Sequence, residues 1–147
     1  MLNEMVIKPL SKGDKANWMG SVDYLHSFTY TPDAGKATAL LGNTGEAYNQ
    51  VWHLPTSEYT FTGKEMIEMI ASELATMPKY QKVPKFMVRI LGIFIPIMRE
   101  MVEMMYQYDR DYVFDSSKFE KRFGIKPTPY ADGVRETVKT LQNQRNL

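Results

Sequence analysis

Apolar positions recur at helical spacing along much of the second half of this chain. After the capping-box tetrad "TGKE" (Thr62 to Glu65), Met66, Ile70, Leu74 and Met77 fall on one stripe and Glu68, Ser72 and Glu73 on another. The spacing predicts an amphipathic helix that stops near Pro78. From Lys85 to Gln107 the helical pattern returns, almost wholly apolar until Arg99. Pro96 has no amide to give a helix ladder, so two helices are expected with a break at that residue. In the second of them Met98, Met101, Val102 and Met105 form a stripe, while Arg99, Glu100 and Glu103 face away. "SKFE" (Ser117 to Glu120) reads as another capping box, opening a short helix closed by Gly124, and a last helix over about 132–142 uses Val134, Val138 and Leu141.

Strand signals are fewer. "HSFTYT" (His26 to Thr31) has aromatic and β-branched bulk and is stopped by Pro32. Asp33 then stands where an N-cap belongs, before a helix with Ala34, Ala37, Leu40 and Leu41 on one face and Gly42 at its end. "VWHLP" (Val51 to Pro55) predicts a second short strand. Residues 1–23 read as mixed and turn-rich, with Trp18 and Gly20 just ahead of the first strand. The sum is a helix-rich α/β chain with too little sheet for a complete α/β enzyme.

The 147 residues suit a single domain with a real core. A net charge of +1 with both signs interspersed gives no nucleic-acid footprint. The local basic cluster of Lys79, Lys82 and Lys85 fits a solvated loop. There is no cysteine, which removes disulfides, thiolate metal sites and cysteine nucleophiles together. The opening segment has no long apolar run of the signal-peptide type. The longest apolar run, Ile90 to Met98, falls well short of the ~20 residues of a membrane span. A cytoplasmic protein with no membrane partner is the expectation.

Several chemistries fail on spacing. A dinucleotide fingerprint needs a glycine-rich turn between strand and helix. Gly42 and Gly45 have the first spacing, but Tyr48 occupies the third glycine position and the pair follows a helix. In "DRDYVFDSSKFE" Asp109, Asp111, Asp115 and Glu120 imitate a calcium loop, yet Val113 fails at position five and Phe114 takes the obligatory glycine position. His26 and His53, the only two histidines, lie far apart and favour hydrogen-bonded core or pocket roles over a metal pair. The methionine-rich stretch from Met87 to Met105 fits a helix core, or a lipid- or partner-binding surface, because methionine adapts to irregular apolar shapes.

A resemblance supplies more. "HSFTYTPDAGKATALL", with "NWMG" upstream and "VWHLP", "TFTGKEMIEMIA" and "PIMREMVEMMYQYDRDYVFDSSKFEKRFGIKPTPYADGVRETV" following in order, resembles the NAD-dependent epimerase/dehydratase family of extended short-chain dehydrogenases, from about Asn17 to Val138. The part resembled is the second half of such an enzyme, the substrate-binding lobe with the last strand–helix units of the sheet. The family's glycine-rich turn and Tyr-x-x-x-Lys pair belong to its first half, and none of the nine tyrosines here has a lysine four residues on. The resemblance implies a lobe inactive alone, with no cofactor of its own, NAD(P) serving a full-length relative, and either a missing Rossmann half or a second copy as partner. It implies substrate contacts at His26, Trp18, Arg99 and Tyr106. A core aromatic, a solvated helix charge and a packed helix end are the plainer readings of the last three. His26 stands where members acting on nucleotide sugars carry an arginine that binds the diphosphate. Imidazole cannot form that bidentate clamp, which points to other hydroxyl- or carbonyl-bearing small molecules.

Two functions follow. One is the substrate-binding part of an oxidoreductase. The other is a free-standing binding module that keeps the lobe's fold and associates through its apolar, methionine-rich helices.

Overall fold

Helices carry most of the chain, and strands are few and short. The computed structural model describes residues 2–145, which form two compact units. The first takes the residues up to His26, then Phe61–Tyr112, then the chain from Val134. The second takes Ser27–Thr60 and Val113–Gly133. Among the described residues no helix is long and apolar enough to cross a membrane.

The first unit opens with a π-wound turn, Asn3–Ile7, that continues into α1 (Lys8–Leu10). β1 (Ala16–Met19) follows and pairs in parallel with β4 (Tyr80–Val83), in the register Trp18 opposite Lys82. β2 (Leu25–His26) pairs antiparallel with β3 (Phe61–Thr62), and His26 also bridges to Tyr112. From Thr62 springs α3 (Gly63–Glu73), with the capping box as expected: the Thr62 hydroxyl accepts from the Glu65 amide and the Glu65 carboxylate accepts from the Thr62 amide. Met66, Ile67, Ile70 and Ala71 are its buried face. Met77 lies beyond the helix end and is exposed.

α4 (Lys85–Phe94) and α5 (Pro96–Met104) form a hairpin broken at Ile95, just before the proline that forbids continuation. The expected stripe on α5 packs inward: Met98, Met101 and Val102 surround a small core of Met19, Val88 and Met105. Met19 therefore carries one face of β1, while Trp18 on the opposite face carries the other. A Cβ on Gly63 would fall inside the Trp18 ring, so the tryptophan is seated directly on the first turn of α3.

The second unit holds α2 (Thr31–Gly42), α6 (Ser117–Phe123) and the first turn of α7 (Tyr130–Arg145). Here the sequence-based expectations shift. The strand expected over His26–Thr31 shrinks to β2, and the next residues run extended without a ladder, with the Phe28 amide donating to the Tyr130 hydroxyl at 2.9 Å. α2 starts two residues before Asp33, because Pro32 is tolerated where a helix's first amides lack partners anyway. Asp33 is consequently no cap. Its buried carboxylate accepts from the Thr128 amide at 2.7 Å. The "VWHLP" segment is not a strand; its carbonyls and rings are used singly, as when the Lys118 ammonium donates to the Val51 carbonyl and lies 4.1 Å over the Trp52 ring. The "SKFE" box is also displaced, since Ser116 is the cap position and the Ser117 amide is taken by the Asp115 carboxylate. Gly124 closes α6 in the left-handed region at φ 67°, as expected.

The Gly63 contact yields a paired prediction. Gly63→Ala must push Trp18 off its seat and destabilise the first unit by about 1–3 kcal/mol, the usual cost of overpacking. Gly35→Ala, at an exposed α2 position whose Cβ meets nothing within 4 Å, is expected to stabilise by about 0.5–1 kcal/mol. Urea unfolding of the two variants beside the parent checks both signs.

Candidate functional site

Trp18 and His26, two of the four residues expected to contact substrate, meet in the first unit. The Trp18 indole N–H donates to the Ser21 carbonyl at 3.1 Å, which ties the ring to the turn that follows β1. That turn is possible because Gly20 adopts φ 64°, and any side chain there would strike the Tyr108 carbonyl. The Trp18 ring meets the His26 ring edge-on at 5.8 Å between centroids, and His26 meets Tyr108 on another side at 5.5 Å.

The third expected residue, Tyr106, belongs to the rim of the same group. Its ring stands 6.1 Å from Tyr112, the residue bridged to the His26 backbone. A hydrogen bond between the two phenols raises Tyr112 above the ordinary tyrosine range. Tyr108 is raised as well, by burial. Arg99 stands apart. It sits on α5 with a side chain 76% exposed, paired with Glu100.

Electrostatics favour a neutral imidazole. His26 is only 4% exposed, and burial lowers its pKa below 6.5, against the opposing pull of the nearby Asp111 carboxylate. Asp111 in turn accepts from the Leu25 amide at 2.9 Å, and the Tyr112 amide donates to the Leu25 carbonyl at 2.8 Å, which fixes the segment 108–112 alongside β2. The group thus has a dry interior of Trp18 and His26, partly buried Tyr108 beside them, and a half-exposed rim with the Tyr106 and Tyr112 hydroxyls. Such a rim can stack on a small ring and exchange hydrogen bonds with a hydroxyl or carbonyl. It offers no acid–base pair at the surface, because its imidazole is buried and the Tyr112 phenol is raised.

Sequence reasoning named neither Tyr108 nor Tyr112. The signal was the spacing Tyr106, Tyr108, Tyr112 in "YQYDRDY", an aromatic run that read as a packed helix end followed by a mock calcium loop. The acids of that loop have other work. Asp109 pairs with Arg110, Asp111 holds Leu25, Asp115 accepts from the Ser117 amide, and Glu120 accepts from the Ser116 hydroxyl. Among the described residues no cluster of three or more histidines or acids is placed to hold a metal ion. His53, in the second unit, donates from Nδ1 to the Asp115 carbonyl at 3.0 Å and packs against Phe114.

A polar cleft of about 520 Å³ also lies in the first unit, between α1 and the β1–β4 edge. In its walls Lys8 pairs with Glu4, and the Gln81 amide donates to the Asn17 side chain. None of the four expected residues lines it.

The lowered His26 pKa has a sign that can be tested. The stability contributed by the neutral imidazole is complete above the unfolded value near 6.5 and diminishes as pH falls through it towards the lower folded pKa. In NMR the His26 ring protons are expected to titrate with a midpoint below 6.5, and His26→Gln is expected to flatten the pH dependence of stability just below neutrality. A His26 midpoint at or above 6.5 would refute the buried neutral assignment.

Set against known proteins, the chain matches no protein-family model and no curated sequence.

Proposed function

We propose that this chain is the substrate-binding part of an NAD-dependent epimerase/dehydratase-like oxidoreductase, cytoplasmic, and without turnover of its own. The observation that carries the reading is the β1–β4 pair. Parallel strands occur almost only in sheets covered on both faces, and an isolated two-stranded sheet is marginal. Here β1 is covered on both faces, by α3 through Trp18 and by the α4–α5 hairpin through Met19, while its parallel partner β4 leaves Gln81 and Lys82 exposed, as an edge strand does. That is the environment of the margin of a larger parallel sheet, which a Rossmann half would extend. His26 and Trp18, buried as described, would then support one wall of the substrate site from beneath, and the Tyr106–Tyr112 rim would contact a hydroxyl- or carbonyl-bearing small molecule. Arg99 has no part in that wall.

The start of α3 does not fit the pyrophosphate of NAD. α3 does follow a strand and open on glycine, the arrangement a pyrophosphate needs, but its first amides are already used. The Lys64 amide donates to the Val22 carbonyl, the Glu65 amide to Thr62, and the Glu65 carboxylate lies across the helix start, where it would repel a phosphate.

The second reading, a free-standing binding module, is favoured by a different observation: the α4–α5 hairpin leaves much of its apolar surface uncovered.

Titration of the chain with NADH, followed by cofactor fluorescence, is expected to show no saturable binding, and no hydride transfer is expected with any carbonyl substrate. Saturable binding would refute the assignment of cofactor chemistry to another half. Sequencing the DNA upstream of the Met1 codon separates the two readings. An in-frame segment encoding a glycine-rich strand–turn–helix and a Tyr-x-x-x-Lys supports the lobe. An in-frame stop with a separate ribosome-binding site supports the module.

A further inference from the structure

The α4–α5 hairpin is anchored at its base and bare at its joint. Val88 on α4 and Met98, Met101 and Val102 on α5 enter the core around Met19 and Met105. The two helices cross closely at Gly92, where a Cβ would come within 3.0 Å of the Arg99 backbone. Beyond that crossing the joint carries Ile93, Phe94, Ile95 and Ile97, with Phe94 79% and Ile93 75% exposed. Phe86 and Ile90 extend the same surface down α4. Large apolar side chains exposed side by side over a whole helix face exceed what a monomer ordinarily presents to water.

The arrangement of charge around this face selects its occupant. At about 100° per residue, Phe86, Ile90, Ile93 and Phe94 share the side of α4 opposite buried Val88. Lys85 and Arg89, one turn apart, border that side. Lys79, Lys82, Lys85, Arg89 and Arg99 are the charged residues between Glu73 and Glu100, so a stretch of 74–99 holds five cations and no anion in a chain of net charge +1. Asp23 takes Lys82, Glu100 takes Arg99, and Asp109, held chiefly by Arg110, lies near Lys85, which leaves Lys85 and Arg89 as the cations beside the apolar side of α4. Glu100 and Glu103 come a turn and more after the joint. A second copy docking on this face would bring two cationic borders together. An anionic lipid surface would neutralise them while the apolar face enters the headgroup–acyl boundary, the pattern of an interfacial helix with cations beside its apolar side.

We infer that the α4–α5 hairpin is a membrane-surface anchor, inserting Ile90, Ile93, Phe94 and Ile97 shallowly into an anionic bilayer with Lys85 and Arg89 against its phosphates. α4 has ten residues and is about 15 Å long, so it lies in the interface and spans nothing. This departs from the expectation of no membrane partner, and it agrees with the other sequence reading of the methionine-rich helices as a lipid-binding surface. It stands independently of whether the chain is an oxidoreductase lobe.

The test is flotation of the full chain with unilamellar vesicles of phosphatidylcholine alone and of phosphatidylcholine with about 30% phosphatidylserine. Binding is expected to the anionic vesicles and at least tenfold weaker to the neutral ones. Lys85→Gln with Arg89→Gln is expected to weaken anionic binding more than tenfold, each cation being worth roughly fivefold. Phe94→Glu with Ile97→Glu, at exposed positions that leave the core untouched, is expected to abolish it, with circular dichroism unchanged. Equal binding to both vesicles, or anionic binding that survives Phe94→Glu with Ile97→Glu, overturns the anchor. So does a stable dimer by sedimentation that ignores vesicles and dissociates in the same double variant, which would assign the face to a second copy.

Discussion

The Trp18 ring seated on Gly63 is the contact on which the first unit depends. Burying an indole of this size is worth about 4–6 kcal/mol at ~25 cal/mol per Å², comparable to the whole folding margin of a small domain. The geometry makes that burial conditional. The ring reaches the α3 backbone because residue 63 has no Cβ, and its N–H is held by the Ser21 carbonyl. Ser21 in turn is placed by Gly20, whose positive φ turns the chain out of β1, and by the hydrogen bond its amide donates to the Tyr108 carbonyl. β1, the start of α3 and the segment that carries the tyrosines are thus fixed by one side chain and two glycines.

The same contact builds the candidate site. His26 is dry because Trp18 and Tyr108 close on it, and its lowered pKa follows from that dryness. The polar rim exists because Tyr112 is drawn alongside β2 by the Leu25 bonds, which brings its hydroxyl to Tyr106. Removing Trp18 would therefore change the titration of His26 and the placement of the phenols together. The chemistry and the packing of this region are one arrangement.

The helices were legible in the sequence because their signals are local. The Thr62–Glu65 capping box, the break at Pro96 and the inward stripe of α5 need only residues within a turn of one another. The parallel strands were not legible. Tyr80–Val83 reads as a basic loop until Lys82 is placed opposite Trp18, more than sixty residues away in the chain. Asp33 failed as a cap for a related reason: its partner, the Thr128 amide, is remote in sequence. In the site, Trp18 and His26 were singled out from the sequence, whereas Tyr108 and Tyr112 gained their roles only through backbone bonds to Ser21 and Leu25.

Methionine is used in two ways in this chain, and the contrast explains how one hairpin can be both core and surface. Met19, Met98, Met101 and Met105 fill the irregular space between β1 and the base of the hairpin, where an unbranched side chain adapts to two helices crossing closely at Gly92. Past that crossing the core can no longer reach, and the sequence changes from methionine to isoleucine and phenylalanine, stiffer side chains that gain little by adapting to a protein cavity. A helix pair meant only to cover β1 could end at the crossing, or finish in polar residues. This one continues with a charge-free apolar joint bordered by Lys85 and Arg89. Exposing that joint to water costs free energy at every residue, and burial of the joint in a bilayer interface, as proposed, would remove that cost.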